Sequence, residues 1–129
     1  MIVKTLDDLK ADGSYKEKPG AWSSARYLTR KDGVGFTMTH TKVAAGADQT
    51  LEYKNHLEAN LVMAGKGELT DVKTGKTYAL RPGTIYVLDN NERHRMTVQE
   101  EMSIICIFVP ALVGTEMHDE DGSYPLLEG

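Results

Sequence analysis

Residues 46–65 read Gly46-Ala47-Asp48-Gln49-Thr50-Leu51-Glu52-Tyr53-Lys54-Asn55-His56-Leu57-Glu58-Ala59-Asn60-Leu61-Val62-Met63-Ala64-Gly65, and residues 83–94 read Gly83-Thr84-Ile85-Tyr86-Val87-Leu88-Asp89-Asn90-Asn91-Glu92-Arg93-His94. Both open on glycine and hold short β-prone runs; the first also closes on glycine, the second on histidine. Working outward, similar runs recur at about 50–53, 58–63, 67–72, 77–81, 84–88, 94–98 and 102–109. Between them stand Gly65-Lys66-Gly67, Thr74-Gly75-Lys76, Pro82-Gly83, Asp89-Asn90-Asn91 and Gln99-Glu100-Glu101, which are residue types that join hairpins. Upstream, Val34, Phe36, Met38 and His40 alternate with Gly35, Thr37, Thr39 and Thr41, a period-2 strand pattern with a threonine-rich face. The one helical signal spans residues 5–11, with Thr5 as cap and Asp8 three positions on. Many short strands at this spacing predict an all-β sandwich or barrel with one or two short helices.

The chain has 129 residues, 15 Lys+Arg against 19 Asp+Glu, and a net charge of −4. That length predicts a single domain, 1–129, with enough chain to bury a core. The mildly acidic balance argues against nucleic acid as a partner. No apolar run reaches the roughly 18 residues of a membrane span. With one cysteine, Cys106, there is no internal disulfide framework and no four-cysteine zinc site. The start, Met1-Ile2-Val3-Lys4 followed by Asp7 and Asp8, carries no apolar signal region, so the expected location is the cytoplasm. The stretch from Gly114 to Gly129 is polar apart from Tyr124-Pro125-Leu126-Leu127 and is expected to dock back, as a lid over the barrel mouth.

The two opening stretches resemble the spaced motifs of cupins, which are double-stranded β-helix (jelly-roll) barrels. In the first motif Gly46, Glu58 and Gly65 fall on pattern, while Glu52 and Lys54 stand where two histidines are usual. In the second, Gly83 and His94 fall on pattern, with Asp89, Asn91 and Val98 at the usual proline, glycine and asparagine places. Inner-face alternation in a barrel strand aims every second side chain at the lumen. Glu58 and His94 are therefore candidate metal ligands, and Tyr86, in the strand that opens the second motif, is the best-placed third donor. Carboxylate, phenolate and imidazole make an oxygen–nitrogen set suited to iron. Three protein ligands leave positions open, as catalytic sites require. Each has a plainer reading: Tyr86 as core with a bonded hydroxyl, Glu58 in a salt bridge, His94 as a loop histidine between two arginines. Cys106 is equally a small buried hydrophobe, and Trp22 and Arg26 a packing pair.

More specific strings follow. Tyr53-Lys54-Asn55-His56-Leu57-Glu58-Ala59, Pro82-Gly83-Thr84-Ile85-Tyr86-Val87-Leu88-Asp89, Asn91-Glu92-Arg93-His94 and His118-Asp119-Glu120-Asp121-Gly122-Ser123-Tyr124-Pro125-Leu126-Leu127 resemble the ectoine synthase family, nearly end to end. The resemblance implies a small cupin, a head-to-tail homodimer. It also implies a hydro-lyase that closes N4-acetyl-L-2,4-diaminobutanoate to L-ectoine, a compatible solute made against osmotic stress. It implies Fe²⁺ on Glu58, Tyr86 and His94, the set that the spacing reached. Substrate contacts are implied at Trp22, Arg26, Thr41, Tyr53, Cys106, Phe108, Glu116 and His118, with functional weight also at Thr39 and His56.

The reaction needs the carbonyl polarised and the amine deprotonated. The base is expected among Glu116, His118, Tyr53 and His56, with Glu116 favoured. Arg26 is expected to clamp the carboxylate and Trp22 to wall the pocket. Two other readings compete: a cupin iron dioxygenase acting on another small molecule, and a cupin that binds a ligand without catalysis.

Overall fold

A computed structural model describes residues 1–113. The stretch 114–129, with Glu116, His118 and the expected lid, lies outside the described residues. The chain opens with helix α1 (Leu6–Asp12) and continues through strands β1 (Tyr15–Lys18), β2 (Trp22–Leu28), β3 (Thr37–Val43), β4 (Asp48–Leu51), β5 (Leu57–Asp71), β6 (Thr77–Leu80), β7 (Ile85–Leu88) and β8 (His94–Val109). A 3-10 turn spans Arg30–Asp32. The helix is capped as its sequence predicts. The Thr5 hydroxyl accepts from the Asp8 amide at 3.2 Å, and the Asp8 carboxylate accepts from the Thr5 amide at 2.9 Å. Its one buried residue, Leu9, fixes it to the barrel.

All strand pairs are antiparallel, in the order β1-β2-β3-β8-β5-β6, with β4 added on β8 and β7 on β5. The long pair β5 and β8 organises the rest. Two pairs of expected short strands are each one continuous strand: Gly65-Lys66-Gly67 and Gln99-Glu100-Glu101 are not hairpin turns. They lie where the β5–β8 register shifts, between Val62 and Gly67. Before that bulge the buried residues of β5 are Glu58, Asn60 and Val62; after it they are Gly67 and Leu69. The inward phase has changed from even to odd, as an extra residue in a strand requires. Glycine is obligatory here. Gly65 has φ +90°, and a Cβ on it would sit 2.1 Å from the Glu101 carbonyl oxygen.

Strands β1 and β2 were not expected. β2 buries Ser24, Ala25 and Arg26, so no apolar alternation marks it. In β3 the alternation is real, but Thr37 and Thr39 are the buried residues while Met38 and His40 are only half-buried. The threonine-rich face points inward because what it lines is polar. The apolar core gathers Val62, Leu69, Leu80, Leu88, Met96, Val98, Met102, Ile104 and Leu112. Leu112 is tied in by hydrogen bonds to Thr37 and Arg30.

Candidate functional site

The strand register sets the site. On one row across five neighbouring strands, Arg26 of β2 stands opposite Thr39 of β3, Thr39 opposite Cys106 of β8, Cys106 opposite Asn60 of β5, and Asn60 opposite Tyr86 of β7. The next row places Phe108 opposite Glu58, and Glu58 opposite Leu88. All five residues of the first row, with Glu58 and Phe108, line one cavity of about 370 Å³. That lies within the range of small-molecule sites. His94 enters from the far half of β8, opposite Leu51 and Asp71. The same strand thus contributes His94 and Met96 at one end and Ile104, Cys106 and Phe108 at the other to one cavity. Trp22, Thr41 and Tyr53 complete the expected lining residues.

Glu58 and His94 are buried and Tyr86 is half-buried, a setting that favours a cation beside the two oxygens. Burial pushes the Glu58 carboxyl from its ordinary 4.5 to about 8. The Asn60 side chain opposes this shift, although none of its atoms meets hydrogen-bond geometry. Tyr86 is held far above its ordinary value by burial, and further by the charge of Glu58 and by Cys106. Both anionic forms are therefore suppressed unless a positive charge joins them. Burial also lowers His94, against the pull of the Glu92 carbonyl, so its ring is neutral at pH 7. That carbonyl accepts from Nδ1 at 3.0 Å, which fixes the tautomer and leaves the lone pair on Nε2. Among the described residues no group of three His, Cys, Asp or Glu side chains gathers as a metal site. A three-donor site built from the described residues of this cavity would need the Tyr86 oxygen beside Glu58 and His94.

The loops that carry the site are joined. Asn91, left-handed at φ +55°, donates its side-chain amide to the Tyr53 carbonyl at 2.6 Å and the His56 carbonyl at 3.4 Å. It stands at the motif place where glycine is usual, and asparagine tolerates that backbone well. Tyr53 packs edge-on against Phe108 at 5.4 Å between centroids. His56 is buried on the same ring, at 6.2 Å, and is not among the cavity-lining residues. Burial, with the Glu58 charge, pushes the Cys106 thiol up to about 12 against opposing Thr41 and Thr39, which favours the neutral thiol. Thr39 and Thr41 share a hydroxyl hydrogen bond of 3.1 Å. Sequence reading missed Asn60, Ser24 and Gln49, which also line the cavity. For Asn60 the signal was available: a polar residue two places after Glu58 on the same strand face.

The profile of the ectoine synthase family matches residues 1–128. The L-ectoine synthase of Oceanobacillus iheyensis is 44% identical over 127 residues, covering 98% of each chain. The crystal structure of ectoine synthase from P. lautus superposes with a TM-score of 0.84 at 40% identity, over 100% of this chain and 92% of that one. An RmlC-like cupin from Shewanella frigidimarina shares the fold alone, with a TM-score of 0.62 and 15% identity over 75% of this chain and 83% of the other. The expected cupin-type barrel is therefore the observed one.

Proposed function

This chain belongs to the ectoine synthase family, and on that footing we propose that it closes N4-acetyl-L-2,4-diaminobutanoate to L-ectoine with loss of water. The observation that carries the reading is the single cavity that gathers Glu58, Tyr86 and His94 with Arg26, Trp22, Tyr53 and Phe108. Ring closure requires the α-amine to attack the acetamide carbon, and the acetamide oxygen to leave as water. An ammonium cannot attack and an amide is a poor electrophile, so the site must move a proton and draw electrons from the carbonyl.

Glu58, Tyr86 and His94 are the residues that would hold Fe²⁺. Their donor set fits it, because it pairs two hard oxygens, whose charged forms need a cation, with an imidazole of fixed tautomer. When bound, that ion supplies Lewis-acid polarisation of the carbonyl, worth several kcal/mol. The remaining work belongs to the chain. Arg26, buried on β2, offers the guanidinium fork for the substrate carboxylate. Trp22, Tyr53 and Phe108 give apolar walls that keep bulk water from reopening the ring. The proton of the α-ammonium goes to a base, for which Glu116 is favoured over His118, Tyr53 and His56. Tyr53 stands at the cavity, whereas His56 would act only from behind Phe108. Thr39 and Cys106 line the row between Arg26 and Asn60, and Thr41 lines the cavity on the neighbouring row.

In this reading the whole of 1–129 works as one domain of a head-to-tail homodimer, in the cytoplasm, making a compatible solute against osmotic stress. No described helix is long and apolar enough to cross a membrane. The test is to incubate the purified protein with Fe²⁺ and N4-acetyl-L-2,4-diaminobutanoate in oxygen-free buffer, following ectoine by chromatography. Ectoine formation without oxygen is the expected result. No ectoine from the iron-loaded protein overturns the reading; in a parallel run in air-saturated buffer, oxygen uptake with turnover would point to a dioxygenase instead.

A further inference from the structure

Asn60 is the least exposed polar side chain of the cavity wall, at 1%. Among the described residues neither its Nδ2 nor its Oδ1 has a hydrogen-bond partner. Buried amides are almost always paired, so an open one in a cavity wall marks where a ligand places a polar group. An apolar residue of the same shape would satisfy the surrounding strands better, since Asn60 sits beside Val62 and opposite Cys106 and Tyr86. The amide is neutral and carries both donor and acceptor, which matches another amide better than it matches a carboxylate or an ammonium. Arg26, the buried cation suited to a carboxylate, lies three strands away along the same row, about 14 Å of wall at roughly 4.8 Å per strand. A substrate with its carboxylate toward Arg26 therefore turns its other end toward Asn60.

We propose that the Asn60 side chain hydrogen-bonds the acyl amide of the substrate and so selects the acylated diamine. The assignment rests on the cyclisation proposed above. Asn60 then contacts the reacting group directly, which supplies the partner its amide does not find among the described residues. Stability is given up at this position for recognition, as at many functional sites.

The test compares wild type with Asn60→Leu, which keeps the shape, and Asn60→Val, which is smaller. KM for N4-acetyl-L-2,4-diaminobutanoate, iron content and the melting temperature of substrate-free protein are measured for each. The expected result is a KM raised about tenfold in both variants, the scale of one lost neutral hydrogen bond. Iron content stays at the wild-type level, and the melting temperature is unchanged or higher. An unchanged KM overturns the proposal. Loss of iron overturns it too, because Asn60 would then act through Glu58. A fall in melting temperature at constant KM, or failure of both variants to fold, assigns the amide to the fold and also overturns it. An inactive wild type is a separate outcome, which removes the cyclisation reading itself.

Discussion

Replacing Glu58 by Gln in the chelator-stripped protein should abolish a specific pH dependence of stability. The Glu58 carboxyl lies at about 8 in the fold because it is buried, against an ordinary 4.5. Where the folded value is the higher one, the native state holds a proton that the unfolded chain has released. Stability is then fully present below the unfolded value and is lost as pH rises through the folded one, at about 1.4 kcal/mol per unit. Histidines add an opposite slope below their ordinary 6.5, since burial lowers both His40 and His94. That contribution is half its full slope at pH 6.5 and fades over the next unit, and it is common to both proteins, so their difference isolates Glu58. Between pH 6.5 and 8 the Glu58 slope acts over about 1.5 units, or roughly 2 kcal/mol. For a chain of this length that corresponds to a fall of roughly 6–10 °C in melting temperature. Thermal melts of wild type and Glu58→Gln, both metal-free, at half-unit pH steps are the assay. Wild type should fall across this window relative to the variant, which keeps only the histidine slope. Adding Fe²⁺ should flatten the wild-type curve, because a bound cation keeps the carboxylate ionised. A flat metal-free wild type, or an equal slope in both proteins, would refute the reasoning.

Three further outcomes are expected. Tyr86→Phe should melt within a few degrees of wild type yet bind Fe²⁺ at least about tenfold more weakly, by titration in oxygen-free buffer; full affinity and activity would remove Tyr86 from the ligand set. Gly65→Ala should lose about 3 kcal/mol or more, read by urea unfolding, because φ +90° and the Glu101 carbonyl oxygen, 2.1 Å from a Cβ, both oppose the side chain. Asn91→Gly should keep the backbone turn but lose the bonds to Tyr53 and His56, raising KM more than it lowers the melting temperature; Asn91→Ala, strained at φ +55° as well, should lower both.

Much of the cavity lining was readable because barrel strands aim alternate residues inward. Glu58 and Tyr86 need only correct strand phase, and the motif spacings supply it. The errors have local physical causes. Gly65-Lys66-Gly67 looks like a turn because glycine at positive φ serves turns and bulges alike. Only its approach to Glu101 and Met102 of β8 tells the two apart. β2 went unread because its buried residues are Ser24, Ala25 and Arg26, which leave no apolar period. The same polarity hid the orientation of β3, whose threonines face inward. His56, expected at the site from its neighbours in sequence, packs on Phe108, which lines the cavity. Asn60 looks like a flaw in an apolar run until the cavity gives it a purpose.

The most direct test of the account is to titrate Fe²⁺ into the chelator-treated protein in oxygen-free buffer, with substrate present, while following ectoine. The account predicts no product before iron, and a rate that rises to a plateau near one iron per chain and is absent in Glu58→Ala. Product formed at full rate before any iron is added, or iron bound at Glu58, Tyr86 and His94 with no ectoine made, would contradict it.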